Sequence, residues 1–498
     1  MLGNTKLMLT FVTFNFTRIM ASLKERTASG LLWGAMNNGL MQLLNIVFGI
    51  FLARMLSPDD YGLVGMIAIF TALAATLQES GFTSALVNKK EVTDNDYNSV
   101  FWFSTLMSVA LFILLFACAP LIALYFGQPE LVRLSRLAFV CIPLAALGVV
   151  PQAYLFKNLK VKEATVVRCS GLLLSGLVGI VLAFRGMAYW SLVWQQLCYV
   201  GITSLGKYAL IPWRPSLKVD FGPVRSMFGF SCKIMLTSIV TTINQNILTV
   251  IFGSMFTKRV VGNFTQAFKW NNMTSSLVSG TIAQVAQPVF SSIQDDSERL
   301  VHVVRKMIRF TAFLAFPVML GLCIIAREFI LITIGSKWIG SIVLLQILCV
   351  SGAFIPLQQT YQNLIVSRNR SDLFMWITVF QVALQIVVVL VLGHYGIAMM
   401  VTGYSLFNIL WLLVWHGYTH RLIPLRLTDA LRDILPFLLA SLVAMAVACL
   451  AAWSLEGIWL KMLVKIAVAA VSYFVMMKVT HAKIMEECIA YVFKRKKN

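Results

Sequence analysis

The sequence predicts an all-α membrane protein that crosses the bilayer about fourteen times. Of the 498 residues, 59% are hydrophobic and only 12% are charged; soluble proteins carry roughly twice that charged fraction. Mean hydropathy is +0.81. Apolar runs long enough to cross a bilayer core of about 30 Å recur from one end to the other. Because lipid offers no hydrogen-bond partner, each run must pair its own backbone groups and is therefore a helix.

Short connections separate the predicted spans, and none of them could hold a soluble domain. The spans lie near 30–53, 61–85, 98–126, 132–155, 163–184, 187–210, 226–255, 260–290, 308–333, 339–366, 372–392, 395–418, 432–453 and 457–477.

The connection at 211–225 joins the sixth span to the seventh, where two halves of the protein are predicted to meet. Residues 1–20 lack the small-residue cleavage site of a signal peptide, and a basic amphipathic segment starts at Met20, which is a candidate initiator. The predicted parts are a cytoplasmic lead-in at 1–29, an N-lobe at 30–210, a cytoplasmic linker at 211–225, a C-lobe at 226–420, two further spans within 421–480 and a basic tail at 481–498.

A weak internal repeat supports the two lobes. Residues 52–62 and 252–262 each join a long span to another through a very short turn, and Gly62 aligns with Gly262. Such a repeat is typical of a duplicated transporter whose substrate site lies between its halves.

The charge of the chain is strongly positive, at +21, with 41 Lys and Arg against 20 Asp and Glu. In a membrane protein, basic residues collect in cytoplasmic loops. With the N-terminus inside, most of them fall on the cytoplasmic side, so both termini are predicted to be cytoplasmic. The Lys494–Lys497 run contacts anionic lipid or anchors the last helix. No nucleic-acid motif is present, and we predict no nucleic-acid partner.

Catalytic and metal-binding motifs are missing from the sequence. It has no phosphate-binding G-x-x-x-x-G-K-[ST], no G-x-S-x-G and no H-E-x-x-H. The nine cysteines lie almost entirely within apolar segments without C-x-x-C spacing, and His416 and His420 have no acidic residue between them. We therefore predict a carrier and not an enzyme, with neither a metal nor a cofactor. The short loops disfavour a membrane polymerase or ligase.

Acidic residues discriminate between classes of carrier. Each one falls in a loop or within a turn or two of a span end, and Glu79 and Glu328 are the deepest. A proton- or sodium-coupled drug antiporter normally needs a carboxylate in mid-membrane. The polar groups at depth are amides and cations instead, and cations suit an anionic cargo such as a diphosphate.

Four cations are candidates for substrate contact. Lys269 lies about ten residues into the eighth span, roughly 15 Å deep, too deep to reach the interface easily. Its alternative role is structural pairing within the bundle. Lys233 and Arg309 lie nearer the cytoplasmic boundary, where snorkelling explains them equally well. Arg54, at the outer end of the first span, either serves a cavity mouth or caps its helix.

Amide side chains concentrate on the first and seventh spans, the first helix of each half. Gln42 and Asn45 lie on the former, and Asn244 and Asn246 on the latter. Interhelical hydrogen bonding explains any single amide. Their concentration at equivalent places predicts a polar cavity shared by the two halves.

Several motifs, in order and spacing, resemble the polysaccharide-transporter branch of the MOP exporter superfamily. They include Ser-Leu-Lys-Glu-Arg-Thr-Ala-Ser-Gly at 22–30 and Leu-Ala-Arg-Met-Leu-Ser-Pro-Asp-Asp-Tyr-Gly-Leu at 52–63, and the resemblance extends over about 21–480. The chain is most similar to the colanic-acid exporter type of lipid-linked oligosaccharide flippase. Other matching segments are 79–86, 288–290, 293–296 and 345–352.

The resemblance implies two pseudo-symmetric lobes of six helices around a central cavity, followed by two C-terminal helices, and a location in the bacterial inner membrane. The implied cargo is an undecaprenyl-pyrophosphate-linked repeat unit of lipopolysaccharide O-antigen, capsule or exopolysaccharide, which alternating access carries to the periplasmic leaflet. Membrane lipids and the polysaccharide polymerase machinery are the implied partners. The related lipid II flippase uses cavity arginines on its first, second and eighth helices, and here Lys269 is the matching deep cation.

Three alternatives stand beside this interpretation. A drug or small-molecule antiporter of the same superfamily is disfavoured by the missing mid-span carboxylates. A polymerase or ligase is disfavoured by the short loops, and a structural scaffold would not need Lys269.

Overall fold

A computed structural model describes residues 39–217, 220–293, 296–368, 370–480 and 484–485. In these residues every regular element is a helix. The predicted lead-in at 1–29, the candidate initiator Met20 and nearly all of the tail at 481–498 lie outside the described residues.

The helices follow one another with short connections. Two 3₁₀ turns, Ser336–Trp338 and Leu392–Tyr395, lie between them. The α-helices are α1 Gly39–Met55, α2 Pro58–Asn88, α3 Asp94–Phe126, α4 Glu130–Ala138, α5 Cys141–Leu147, α6 Val149–Lys157, α7 Val161–Phe184, α8 Trp190–Tyr208, α9 Gly222–Met255, α10 Lys258–Ser292, α11 Ser297–Thr333, α12 Gly340–Gly352, α13 Ile355–Ser367, α14 Ser371–Val391, α15 Ile397–Leu422, α16 Leu427–Ala451 and α17 Ile458–Val479.

The predicted all-α polytopic fold is confirmed. Eleven helical runs in the described residues are long and apolar enough to cross a membrane. The shorter apolar helix α1 and the more polar helices α8 and α10 occupy the remaining predicted spans. The fourth predicted span is a broken run, α4 to α6, and the tenth is α12 followed by α13. Pro356 at the start of α13 lacks the N–H that a continuous helix would use.

Several helices extend beyond the predicted spans. The 37-residue α11 is the clearest case, because its length of about 55 Å well exceeds the bilayer core. The carboxylate of Asp296 accepts a hydrogen bond from the backbone N–H of Arg299 at 3.0 Å and caps its N-terminus. Hydropathy underestimates such helices because their first turns are charged and lie outside the apolar run.

Side-chain caps fix the starts of α2 and α3. The Ser57 N–H donates to the Asp60 carboxylate at 2.8 Å, and the Asp60 N–H donates to the Ser57 hydroxyl at 3.3 Å. Thr93 and Asp96 form the same reciprocal box before α3. Both boxes satisfy N–H groups that a helix terminus otherwise leaves unpaired. The caps therefore allow very short turns between long helices.

The chain divides into two compact units. Unit 1 comprises the described residues up to Leu56 together with Ile67–Thr242, and unit 2 comprises Ser57–Met66 with the described residues from Ile243 onward. These boundaries fall within α2 and α9, whereas the predicted lobes met at the linker 211–225. The predicted lobe boundaries remain a prediction.

Each unit has its own packing. In unit 1, α7 packs against α8, and α3 packs against α4 and α5. In unit 2, α10 packs against α12 and α13, and α11 packs against α16 and α17. Helix α10 is therefore central within unit 2, and its side chains are held by neighbours on several sides.

Candidate functional site

Lys269 lies on α10 in unit 2, about three turns after the helix begins. Its side chain is half-buried, and the neighbouring Trp270 and Asn271 are buried. Within the part of the chain that the structure describes, the Lys269 ammonium has neither a hydrogen bond nor an ion pair. The structural alternative, a lysine paired within the bundle, therefore gains no support from these residues.

Helix α10 carries further buried polar side chains that the sequence analysis did not include in the candidate set. Gln266, Asn271, Ser275 and Ser279 are each at most 5% exposed. Both polar atoms of Gln266, Oδ1 of Asn271 and the two serine hydroxyls make no hydrogen bond within the described residues. The i, i+4 spacing from Asn271 to Ser279 was a readable signal, because such residues follow one another along a helix.

Arg309 lies on α11 and has an acidic partner on α16. Its Nε is 3.8 Å from Oδ1 of Asp433, which is buried. Arg305 is closer to the same carboxylate, with its Nε 2.7 Å from Oδ2 of Asp433. Nη1 of Arg305 also lies 3.7 Å from Oδ1 of Asp429. Arg309 therefore belongs to a cluster of charges that ties α11 to α16. This contact gives Arg309 a structural role beside the predicted substrate role.

The remaining candidates in unit 2 are the amides of α9. Asn244 and Asn246 are both half-buried, and Asn246 has a polar partner. Unit 2 thus contains four of the predicted site residues, Lys269, Arg309, Asn244 and Asn246.

The other predicted residues belong to unit 1. On α1, Asn45 and Arg54 are exposed and Gln42 is half-buried. Gln42 and Arg54 each have an interaction partner. The backbone of Lys233 is part of α9, and its side chain lies outside the described residues. The expected substrate roles of these residues remain predictions.

An apolar groove of about 510 Å³ lies in unit 2 along α11, α16 and α17. At one side of it, Nζ of Lys465 is 2.7 Å from Oε1 of Glu328 and 2.9 Å from the carbonyl oxygen of Ile324. The hydroxyl of Tyr473 donates to the carbonyl of Phe313 at 2.9 Å. The groove is thus an apolar surface beside which Lys465 and Tyr473 join α17 to α11.

A family model described as "Polysaccharide biosynthesis protein" matches residues 51–343, more than half of the chain. The chain belongs to this polysaccharide biosynthesis protein family. The predicted resemblance to the polysaccharide-transporter branch of the MOP superfamily is therefore confirmed.

Curated relatives of this polysaccharide biosynthesis family member agree with that assignment. The chain is 25% identical over 399 residues to the lipopolysaccharide biosynthesis protein WzxC of Escherichia coli K12, covering 78% of this chain and 80% of the relative. It is 24% identical over 325 residues to the succinoglycan biosynthesis transport protein ExoT of Rhizobium meliloti, covering 65% of this chain and 66% of the relative. It is also 27% identical to a membrane protein of the cps region of Klebsiella pneumoniae, covering 71% of this chain and 73% of the relative.

Solved structures share the fold of this family member. The lipid II flippase MurJ in an inward closed conformation superposes with a TM-score of 0.75 at 16% identity, covering 91% of this chain and all of that chain. An inward-facing multidrug resistance MATE transporter of the MOP superfamily gives a TM-score of 0.62 at 17% identity, covering 76% of this chain and 94% of that chain. At such identities the likeness shows the fold alone. The chain is thus a multi-pass membrane protein with the fold of these transporters.

Proposed function

We propose that the chain is a flippase for lipid-linked oligosaccharides. It moves undecaprenyl-diphosphate-linked repeat units across the bacterial inner membrane by alternating access, for the synthesis of a surface polysaccharide. The observation that carries this proposal is the family match over residues 51–343, on a chain whose fold is that of a lipid flippase. The names of the relatives, which include lipopolysaccharide and succinoglycan biosynthesis proteins, support the same class of cargo.

Lys269 is the residue we propose to contact the diphosphate. A diphosphate is recognised best by charge-assisted hydrogen bonds in a partly desolvated site. The Lys269 ammonium is half-buried and has no protein partner among the described residues, so its three donors are available. Gln266 on the same helix supplies a further unengaged donor, its amide nitrogen. These donors support a cargo with an anionic headgroup.

The apolar groove along α11, α16 and α17 is proposed to accommodate part of the prenyl chain. A long hydrocarbon tail that follows its headgroup needs an apolar surface of this kind. The volume of about 510 Å³ is within the range of ordinary ligand pockets.

A transport assay in liposomes tests the proposed function. The purified chain is reconstituted with undecaprenyl diphosphate that carries the host strain's repeat unit, and an added lectin reports the saccharide on the outer leaflet. We expect exposure of the saccharide to rise faster than in empty liposomes and without ATP. No acceleration, or an absolute requirement for ATP, would exclude this function. Movement of ethidium in place of the lipid would support the antiporter alternative.

A further inference from the structure

A polar pocket lies at one end of unit 1, where α3 begins, and it contains none of the predicted cavity residues. Its volume is about 540 Å³, within the range of small-ligand pockets. Side chains from α3, α6 and the segment that follows α8 line it. They include Asp94, Asn95, Asn98, Tyr154, Trp213 and Arg214.

The segment after α8 is bound firmly to α3, so the pocket is preformed. The backbone N–H of Ser216 donates to Oδ1 of Asn98 at 2.9 Å, and the indole of Trp102 donates to the Ser216 carbonyl at 2.7 Å. Nδ2 of Asn95 donates to Asp220 at 2.8 Å. That bond, with one from the Gly222 N–H, lowers the pKa of the Asp220 carboxyl below its ordinary value.

Aromatic packing forms the floor of the pocket. The Trp213 ring packs against Tyr97 and Phe101, with ring centroids 6.1 Å and 5.7 Å away, and Tyr154 packs against Tyr97 at 5.8 Å. Trp213 and Tyr97 are buried in one hydrophobic cluster of unit 1. Packing against this apolar cluster therefore fixes the positions of Trp213 and Tyr154, which line the pocket.

The groups left available at the rim suit a saccharide. Among the described residues, the Asp94 carboxylate and the Tyr154 hydroxyl make no hydrogen bond. Arg214 uses Nη1 for the carbonyls of Ile211 and Trp213, which leaves its other donors available. Sugar hydroxyls both donate and accept, so they need carboxylate, guanidinium and hydroxyl groups side by side.

A cluster of lysines adjoins the pocket. Nζ of Lys160 lies 5.9 Å from the centre of the Tyr154 ring. Nζ of Lys157 donates to the carbonyls of Lys89 and Lys90, which brings these four lysines to one edge. Asp96 pairs with Lys89 at 2.6 Å. The basic edge, defined as Lys89, Lys90, Lys157 and Lys160, keeps a net positive charge that attracts phosphate groups.

We propose that this pocket binds the saccharide of a lipid-linked precursor while the basic edge binds its diphosphate, before translocation. The inference rests on the proposed flippase function and adds a separate recognition site to it. The pocket lies at the end of unit 1 predicted to be cytoplasmic, where a precursor would first meet the protein. Recognition of the sugar would depend on residues of unit 1, whereas Lys269 belongs to unit 2.

Binding to the full chain in nanodiscs tests the inference with two probes. One is undecaprenyl diphosphate with the host strain's repeat unit, and the other is undecaprenyl diphosphate alone. We expect Asp94→Asn to weaken binding of the saccharide-bearing lipid about tenfold, as for a lost hydrogen bond to a charged group. The sugar-free lipid should bind this variant as it binds the wild type. Lys160→Gln should weaken both probes.

The matched control is Asp372→Asn, which removes an exposed first-turn carboxylate of α14 in unit 2, and it should change neither affinity. Arg214→Gln repeats the test of the rim if Asp94→Asn does not fold. If the wild type binds the saccharide-bearing lipid and the folded rim variant binds it equally well, the pocket has no such role, although the flippase function stands. If the wild type binds neither lipid, the flippase function fails and the inference fails with it.

Discussion

Lys269 places a cationic group about three turns into α10 without a protein partner among the described residues. We expect Lys269→Ala to reduce transport in liposomes at least tenfold, because a charge-assisted hydrogen bond to phosphate contributes about 1.5–3 kcal/mol. Complementation of surface polysaccharide in cells should fall in parallel, with an unchanged amount of protein in the membrane.

Lys269→Arg and Lys461→Ala provide the comparisons. The arginine keeps the charge and should retain part of the activity. Lys461 is half-buried near the start of α17 and should tolerate alanine. Full activity of Lys269→Ala would remove this residue from the substrate site.

Arg309 is the residue whose role the tertiary contacts change most. Because it shares Asp433 with Arg305, we expect Asp433→Asn to lower the free energy of unfolding in detergent by about 2 kcal/mol. Arg309→Ala should cost less, and it should cost almost nothing in the Asp433→Asn background. A variant Arg309→Ala that is fully stable and yet inactive in transport would instead favour the predicted substrate role.

At the scale of helices, Gly62 and Gly262 explain the weak repeat seen in the sequence. A Cβ on Gly62 would overlap the carbonyl oxygen of Lys258, and one on Gly262 would overlap that of Pro58. The first turns of α2 and α10 thus pack against each other reciprocally within unit 2, and Arg259 lies 3.7 Å from Asp59 beside them. Only glycine allows this backbone approach, which explains why both aligned positions are glycine.

Substitution of these glycines should disturb the packing of α2 on α10. We expect Gly62→Ala and Gly262→Ala each to lower stability by about 1–3 kcal/mol, measured by thermal unfolding in detergent, since backbone must move to admit the methyl group. Gly280→Ala is the control on α10, because none of the described residues comes within 4 Å of its added Cβ, and it should be neutral or slightly stabilising. Equal stability of all three variants would contradict the close approach.

The Lys465–Glu328 pair ties α17 to α11 beside the apolar groove. Its side chains are 15% and 7% exposed, so loss of one partner leaves a buried charge. Lys465→Met or Glu328→Gln alone should lower the unfolding free energy by about 3 kcal/mol, whereas the double variant should recover most of it. Denaturant titration of the three variants measures this coupling. Additive losses in the double variant would show that the pair does not act as a unit.

For the whole molecule, the charge distribution predicts that both termini are cytoplasmic. Fusion of alkaline phosphatase, which is active only in the periplasm, should give inactive protein at the C-terminus and after α15. The same reporter placed after α14 or after α16 should be active, because each span reverses the side. An active C-terminal fusion would mean an odd number of crossings or an inverted orientation.

Much of the architecture was predictable because bilayer thickness and backbone pairing leave few choices for an apolar chain. Even the polar segment 260–290 was correctly predicted as a helix, α10. Charged helix ends were not predictable in this way, and α11 begins well before its apolar run. The Lys465–Glu328 pair was also missed, because its members are 137 residues apart and nothing local connects them.

The amino-acid sequence by itself determined the class of the protein and its family. These properties depend on composition and on the order of residues, both of which can be read from the sequence. Only the tertiary structure decided which polar groups have partners: Arg309 pairs with Asp433, and Lys269 has neither a hydrogen bond nor an ion pair among the described residues. It also brings Asp94, Tyr154 and Arg214 together around one pocket. The physical reason is that pairing depends on distances between helices far apart in the chain, and hydropathy contains no information about those distances.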